Sequence, residues 1–475
     1  MQKPSIPKGT RDFGPEQMIR RNFILDSIRE VYKRYGFLPL ETPSMELLSV
    51  LTGKYGDEGD QLIFKILRNG DFLQKVKIPK GTEAIAAGDT LDWDALGLSS
   101  SSVLSQISEK ALRYDLTVPF ARYVAMHQSN LAFPFKRYQI QPVWRGDRPQ
   151  KGRYQEFYQC DADVVGTESL TCEADIVAMV NEVFAALGIN DFTLKINNRK
   201  VLAGLVEAIG APGMDGPFCV AIDKLDKIGI EKVEEELLSR GFEQQSIEAL
   251  RPVMQFEGDF HAKLAFFKDF MQSSETGMQG IAELEEILDY LQLSNTSTGK
   301  LEFDITLARG LSYYTGAIFE VKANNVQIGS ISGGGRYDNL TGVFGLKGVS
   351  GVGISFGVDR IYDVMEELDL FPDSSSQSTS VMVGHFGEQE RRFGIALTAR
   401  LRAAGIRSEV FPDNAKIKKQ LTYANRKNIP YAILIGSEEL ESGQLTLKNM
   451  VSGEQTQTDE AGVIQHLQQA LNPNS

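Results

Sequence analysis

Cysteine, histidine and long apolar runs are all scarce in this chain of 475 residues. The three cysteines, Cys160, Cys172 and Cys219, are too few and too widely spaced for a disulfide framework or a zinc site, so we expect reduced, buried thiols. The four histidines are scattered, and we predict no metal site. No apolar stretch approaches the roughly 20 residues of a membrane-spanning helix, and the amino-terminal segment lacks a signal-peptide core. These absences predict a soluble, cytoplasmic protein with no membrane partner.

Glycine-based nucleotide loops are also missing from the sequence. No Gly-x-x-x-x-Gly-Lys-Ser/Thr phosphate loop occurs, and the nearest dinucleotide-like run, residues 351–357, has the wrong final spacing. Any phosphate binding must then rest on side-chain cations. Arginine suits this task because its planar guanidinium group binds phosphate oxygens bidentately and keeps its charge.

The charge of the chain is acidic in total but basic in two places. The formal net charge is −13, which by itself argues against a nucleic-acid partner. Residues 136–153, however, hold six bases and one acid, which indicates an anion site. Residues 391–427 hold ten bases and two acids. This second run is either a docking surface for a polyanion or a solvated face of the protein.

Three kinds of sequence follow one another along the chain. Aromatic and β-branched segments with frequent alternation predict a substantial antiparallel sheet, interrupted by a mostly helical insertion. Five apolar residues of the insertion fall on one helical stripe: Ile281, Leu284, Ile287, Leu288 and Leu291. A Ser-rich linker precedes a β-α-β-α-β pattern, which predicts a small α/β domain with a largely parallel sheet. The expected fold class is α+β, with segments 1–201, 202–300, 301–370, 371–380 (the linker) and 381–475.

A basic hairpin is predicted around residues 143–157. Pro149 and Gly152 supply the turn, which places Arg145 at the sheet surface and Arg153 on the return. On the returning strand, polar side chains recur with the period of two that puts them on one face: Gln159, Asp161 and Asp163. Because burying them without partners is costly, we expect this face to be solvated or to line a polar pocket.

Five motifs in order carry a resemblance to a known family. LPLETPSME, which follows PKGTRDFGP near the amino terminus, resembles motif 1 of the class II aminoacyl-tRNA synthetases. FKRYQIQPVWRGDRPQKGRYQEFYQCDADVVG resembles motif 2, and GVGISFGVDRI resembles motif 3. LARGLSYYTG and SGGGRYD are similar to signatures of the histidyl-tRNA synthetase family. The resemblance covers nearly the whole chain, and five motifs in family order are far more specific than any one alone.

The resemblance implies an activity, a fold and partners. Members of the family activate L-histidine with ATP to histidyl-adenylate, release pyrophosphate and transfer the histidyl group to the 3′ end of tRNA(His). The resemblance also implies a class II antiparallel sheet with flanking helices and a carboxyl-terminal anticodon-binding domain. Mg²⁺ would accompany ATP as a substrate complex, without a tightly bound cofactor. Two copies of the chain would form a homodimer through the motif 1 region, which includes Pro43.

The same resemblance assigns roles to individual residues. Arg145 and Arg309 would be catalytic, holding the charge of the α-phosphate from two sides. The residues implied for ATP binding are Arg145, Arg153, Thr117 and Arg360, whose guanidinium would stack on adenine. The residues implied for histidine binding are Asp115, Thr117, Gln159, Asp163, Arg309, Tyr313, Tyr314 and Tyr337. Lys418 and Lys419 would contact tRNA.

Two departures and two alternatives accompany the resemblance. Ser312 stands where the family usually has an acidic residue, and Asp115 stands where many bacterial members have glutamate. One alternative is the related regulatory subunit of the first enzyme of histidine biosynthesis, which usually lacks the carboxyl-terminal domain and the arginine of LARGL. The other is a class II synthetase for a different amino acid, which would lack the paired LARGLSYYTG and GGGRYD segments.

Overall fold

The computed structural model describes residues 3–72, 99–297, 300–308, 313–372 and 379–471. The chain forms two compact units. The first comprises Met1–Asp12 and Ile24–Leu370, and the second comprises Phe13–Phe23 and Phe371–Ser475. Within the described ranges, no helix is both long and apolar enough to cross a membrane.

The first unit is built on one large sheet and one small sheet. Its strands are β1 (Leu38–Pro39), β2 (Met45–Leu47), β3 (Lys65–Leu67), β4 (Ser108–Leu112), β5 (Phe135–Trp144), β6 (Glu156–Val165), β7 (Phe192–Asn198), β8 (Leu301–Phe303), β9 (Ala317–Ala323), β10 (Ser332–Tyr337) and β11 (Gly351–Gly357). The large sheet has the order β1-β5-β6-β11-β10-β9-β7-β8. It is antiparallel except at its two ends, where β1 pairs with β5 and β7 pairs with β8 in parallel. This confirms the predicted antiparallel sheet. The small sheet has the order β2-β4-β3.

Alternation along the central strands gives the large sheet one apolar face and one polar face. On β11, Phe356 packs edge-on against Phe184 with ring centroids 5.6 Å apart, and it also lies 6.2 Å from Tyr32. These two partners belong to helices, so this face is the helix-covered core. Ser355, one residue earlier on β11, points to the opposite face because side chains alternate along a strand. There it accepts a hydrogen bond from Gln159 of β6.

Helices surround the sheets and form the inserted segment. Up to residue 370 they are α1 (Pro15–Arg34), α2 (Leu48–Leu51), α3 (Gly56–Leu62), α4 (Ser100–Ile107), α5 (Thr117–His127), α6 (Thr171–Ala186), α7 (Arg199–Ala208), α8 (Asp215–Ile222), α9 (Leu225–Ile228), α10 (Ile230–Ser239), α11 (Gln244–Gln255), α12 (Phe260–Phe270), α13 (Glu275–Leu293) and α14 (Val358–Glu367). All five residues of the predicted stripe are buried on α13, which confirms that prediction. Helices α7 and α13 approach so closely at Gly204 that a Cβ atom there would collide with Gly277.

The second unit has a five-stranded sheet that is only half parallel. Its elements are β12 (Val381–His385), α15 (Glu388–Ala403), β13 (Ser408–Val410), α16 (Ile417–Arg426), β14 (Tyr431–Ile435), α17 (Ser437–Ser442), β15 (Leu445–Asn449), β16 (Gln455–Thr458) and α18 (Glu460–Leu471), with sheet order β13-β12-β14-β15-β16. The β12 pairings are parallel, whereas β14–β15 and β15–β16 are antiparallel. The prediction of a largely parallel sheet was therefore wrong for β15 and β16, which pair in antiparallel orientation. Strand β16 reads QTQT and is mostly exposed, so no apolar pattern announces it.

Candidate active site

The polar face of the large sheet opens into a cavity of about 300 Å³. Strands β6, β10 and β11 form its floor, and the β5–β6 hairpin and the start of α14 contribute to its walls. Eight of the residues singled out in the sequence line this one cavity: Asp115, Thr117, Arg145, Arg153, Gln159, Tyr313, Tyr314 and Arg360. Segments up to 245 residues apart in the chain thus converge on one site.

Arg145 presents a positive charge to the cavity and forms no ion pair with a carboxylate among the described residues. It follows the end of β5, and its Nε donates a hydrogen bond to the carbonyl oxygen of Tyr114 at 3.1 Å. Its guanidinium carbon lies 4.4 Å from the ring centre of Tyr114 and 5.2 Å from that of Phe157. Two aromatic rings and one carbonyl therefore fix the guanidinium, leaving its remaining N–H groups for an anion.

Two more arginines surround the same cavity. Arg153 pairs with Asp147 at 3.1 Å and is about half exposed, so it can turn toward a ligand. Arg360 donates from Nε to the Gly152 carbonyl at 2.8 Å and from Nη1 to the Ser330 carbonyl at 2.6 Å, which fixes its plane. Burial lowers the pKa of Arg360, and the nearby charges of Arg153 and Arg145 lower it further. Cations that repel one another in this way form a ready site for a polyanion.

A buried carboxylate lies at the amino terminus of α5. Asp115 accepts hydrogen bonds from the Tyr55 hydroxyl at 2.9 Å, the Val118 backbone N–H at 3.1 Å and the Tyr313 hydroxyl at 3.1 Å. Burial raises the pKa of Asp115, and these hydrogen bonds together with the Arg145 charge oppose the rise. The three donors hold the carboxyl group in one orientation at the cavity wall, where it can accept a hydrogen bond from an ammonium group.

A second cavity, of about 20 Å³, lies among the buried residues of β6, β10 and β11. Asp163 and Tyr337 line it, and Thr117 and Tyr314 line both cavities. The Tyr337 hydroxyl donates to Asp163 at 2.7 Å, and Arg137 pairs with the same carboxylate at 2.8 Å. Two protein groups therefore already bind Asp163. Tyr337 contributes to the site by its hydrogen bond to Asp163.

Asp161 is a further buried carboxyl group on the same strand face. It is 2% exposed, lines the smaller cavity, and its Oδ1 has no hydrogen-bond partner in the described part of the chain. Burial raises the pKa of Asp161 to about 7, while Arg137 lowers it and Asp163 raises it. Burial likewise raises the pKa of Asp163, with Arg137 and the Tyr337 hydroxyl opposing the rise. The polar face predicted from the period of two is therefore a polar pocket rather than a solvated surface.

The glycine triplet of β10 serves two different purposes. Gly333 lines both the larger and the smaller cavity, and a Cβ there would have room. A Cβ at Gly334 would collide with the carbonyl oxygen of Gly353 on the neighbouring strand. At Gly335 it would come within 2.8 Å of the Ala317 carbonyl oxygen. Close approach of the backbone to a small ligand can therefore explain glycine at Gly333, whereas strand packing accounts for the other two.

The remaining predicted site residues are Arg309, Lys418 and Lys419. Arg309 and Ser312 lie outside the described residues. Lys418 and Lys419 are exposed on α16 of the second unit, and no ion pair among the residues described there involves them. Part of the surrounding basic run is neutralised, because Arg391 pairs with Glu388 at 2.8 Å and other bases of the run pair with Glu409 and Glu460.

Sequence reasoning missed several residues of the site. Tyr55 and Arg137 hold Asp115 and Asp163, and Glu320 lines the cavity. Asp161 was noticed on the strand face, but no role was assigned to it. Arg137 lies within the strand-like segment FKRYQIQ, and a charged side chain that a sheet buries needs an anion to face it. The short segment around Tyr55 contains no comparable signal.

Comparison with known proteins agrees with this geometry. The family model described as histidyl-tRNA synthetase matches residues 106–361, more than half of the chain. The chain belongs to the histidyl-tRNA synthetase family. A model described as anticodon binding domain matches residues 381–470. The resemblance read from the five motifs is thereby confirmed.

Relatives of the family cover almost the entire chain. The histidine–tRNA ligase of Cytophaga hutchinsonii is 57% identical over 96% of this chain and 97% of its own, and that of Bacteroides fragilis is 54% identical over 95% and 96%. The crystal structure of histidyl-tRNA synthetase from Nostoc has a TM-score of 0.81 at 29% identity, covering 99% of this chain and 100% of its own. The α+β class II architecture of the histidyl-tRNA synthetase family is therefore confirmed.

Proposed function

We propose that the 300 Å³ cavity activates histidine with ATP and that the chain then charges tRNA(His), as a histidine–tRNA ligase. One observation carries the assignment to this cavity. A buried carboxylate for an ammonium group, three guanidinium groups for a nucleotide and two tyrosine rings all line the same space. The three guanidinium groups belong to the segments that resemble motifs 2 and 3, and the two tyrosines belong to LARGLSYYTG.

Arg145 supplies the charge for the first chemical step. An oxygen of the histidine carboxylate attacks the α-phosphorus of ATP, the bond from that phosphorus to the bridging oxygen breaks, and pyrophosphate leaves. Negative charge on the α-phosphate oxygens must be held throughout, and the fixed, unpaired guanidinium of Arg145 is placed for this task. Arg309 holds the same phosphate from the other side. Catalysis then consists mostly of positioning and electrostatic stabilisation.

Arg153 and Arg360 bind the remainder of the nucleotide. Arg153 is tethered to Asp147 by one ion pair and is half exposed, so it can follow the β- and γ-phosphates. Arg360 is clamped by two carbonyl oxygens, so its flat face is available for stacking on adenine. Loss of mutual repulsion among these cations when ATP arrives favours binding.

Mg²⁺ enters with ATP. No cluster of three or more metal-ligating side chains was found among the residues that the structure describes. Asp147 and Glu320 do line the cavity, and magnesium sites of this type take one or two carboxylates plus phosphate oxygens and water. The residues therefore fit a nucleotide-borne ion, which when bound neutralises phosphate charge.

Histidine lies between Asp115 and the smaller cavity. Asp115 accepts from the α-ammonium group, with Thr117 beside it at the start of α5. Gln159 contributes an Oε1 without a partner in the described chain. The imidazole end faces Asp163, together with the tyrosines Tyr313, Tyr314 and Tyr337. A site built to hydrogen-bond a polar ring rejects apolar amino acids, because they would leave its buried polar groups unpaired.

The second unit and the oligomer complete the proposal. The segment 381–475 binds the anticodon, with exposed Lys418 and Lys419 contacting tRNA, while segments 1–201 and 301–370 form the catalytic domain around the insertion 202–300. A second copy of the chain covers the region near Pro43, where Leu38, Met45 and Leu47 are between 53% and 59% exposed. None of the three cysteines, all of which lie in the described ranges, forms a disulfide bond, which fits a reducing, cytoplasmic location.

Charging of purified tRNA(His) with labelled histidine tests the proposal. Arg309→Ala tests the role given to Arg309, which lies outside the described residues. We expect this variant to form adenylate roughly 10²-fold more slowly or worse, with little change in histidine affinity. Near-wild-type turnover would remove Arg309 from the mechanism. Failure of the wild-type protein to charge tRNA(His) would contradict the proposal as a whole.

A further inference from the structure

Arg199, which does not line the cavity, forms hydrogen bonds near both ends of the segment LARGLSYYTG. Arg199 is the first residue of α7, where the insertion begins. Its backbone N–H donates to the carbonyl oxygen of Gly316 at 2.9 Å, and its Nη1 donates to the carbonyl oxygen of Ala308 at 2.7 Å. These two carbonyl groups flank the chain that bears Tyr313, Tyr314 and, by sequence, Arg309.

The residue two positions earlier adds to the same anchor. Asn197, at the end of β7, is fully buried, and its Nδ2 donates to the Leu307 carbonyl oxygen at 3.1 Å. Asn198 caps α7 by accepting from the Lys200 N–H at 2.9 Å, which fixes the start of the helix and therefore the backbone of Arg199. The end of β7 and the capped start of α7, which follow each other in the chain, therefore both hold the LARGLSYYTG segment.

The charge of Arg199 has no carboxylate partner in the described ranges. Its Nε has no hydrogen-bond partner there, and the other contact of Nη1 is the Sγ atom of Cys219 on α8, 3.6 Å away. Burying part of a charged guanidinium costs more free energy than burying a neutral amide, and an amide could also donate to a single carbonyl oxygen. What arginine adds is a charge-assisted hydrogen bond of long reach, and a contact with a helix of the insertion.

We propose that Arg199 is a positioning residue for adenylate formation. Its side chain holds Ala308, the residue that precedes Arg309 in the sequence, and its backbone N–H holds Gly316 next to the tyrosine pair. Through Cys219 it also ties this anchor to the insertion. The inference rests on the proposed function, because it acts through the role assigned to Arg309. A displacement of about 1 Å in a catalytic group costs up to roughly 10²-fold in rate, so the anchor has a measurable effect.

The test compares Arg199→Ala with Arg199→Lys and a neighbouring control. Lys200→Ala is the control, because Lys200 is adjacent, is also cationic and pairs with Glu283 of α13 instead of holding Ala308. Single-turnover adenylate formation is measured in the full-length protein. We expect Arg199→Ala to be roughly 10- to 100-fold slower with histidine and ATP affinities within about threefold of wild type, Arg199→Lys to recover part of the rate, and Lys200→Ala to match wild type.

A double-mutant cycle separates this inference from the proposed function. If Arg199 acts by placing Arg309, adding Arg199→Ala to Arg309→Ala costs little more than Arg309→Ala alone. Fully additive losses, or Arg199→Ala as fast as Lys200→Ala while Arg309→Ala is slow, would overturn the inference and leave the proposed function intact. An unimpaired Arg309→Ala would instead overturn the role of Arg309, and with it this route. If Arg199→Ala fails to fold, the Arg199→Lys variant carries the same cycle.

Discussion

Replacing Arg145 with alanine removes a guanidinium of the cavity that is rigidly held and forms no ion pair with a carboxylate in the described chain. The side chain is supported by the Tyr114 carbonyl and two aromatic rings, so its loss leaves the sheet and the other cations in place. Removing one preorganised stabiliser of transition-state charge typically costs 10²- to 10³-fold in rate, which is about 2.7–4 kcal/mol. We expect a loss in that range for histidine-dependent ATP–pyrophosphate exchange.

The matched control is Arg148→Ala, on the same loop. Arg148 is exposed and does not line the cavity, so we expect its removal to change the exchange rate less than threefold. Arg145→Lys keeps the charge but loses the planar fork, and we expect an intermediate rate. The reasoning would be refuted by an Arg145→Ala enzyme within a few fold of wild type, or by equal losses in the Arg145 and Arg148 variants.

Three further predictions follow from the structure. Because the pKa of Asp161 is raised, the folded protein binds this proton more tightly than the unfolded chain does. The free energy of unfolding therefore falls as pH rises from about 4 to about 7 and Asp161 ionises. In urea unfolding, Asp161→Asn should stabilise the protein more at pH 8 than at pH 5, and an equal gain at both pH values would contradict this. Charge reversal of Lys418 and Lys419 should weaken tRNA binding and flatten its salt dependence while leaving pyrophosphate exchange intact; loss of both activities would indicate misfolding instead. The active protein should have the mass of a dimer in sedimentation equilibrium, and a fully active monomer would remove the motif 1 interface.

Local sequence patterns predicted the helices and strands whose burial follows from their own residues. The stripe on α13 is buried because a 3.6-residue period always produces one apolar face. The hairpin carrying Arg145 and Arg153 follows from turn residues between two alternating strands. Strand β16 was missed because pairing with β15, rather than its own apolar content, makes it a strand.

The site was predictable only as far as the family motifs extend. The motif residues themselves line the cavity, but the groups that orient them are distant in sequence: Tyr55 holds Asp115 and Arg137 holds Asp163. Such pairs depend on strand register and helix placement, which no single segment encodes. The anchor at Arg199 is of the same kind, because its two carbonyl partners lie more than 100 residues away in the chain.

The most direct test of the central claim is amino-acid-dependent ATP–pyrophosphate exchange with each of the twenty amino acids. The chemistry of the cavity predicts exchange with histidine and none above background with the other nineteen. Exchange with a different amino acid would contradict the assignment of the pocket. No exchange from folded protein would contradict the claim that Arg145 and its neighbours form an active centre, and would favour a regulatory role.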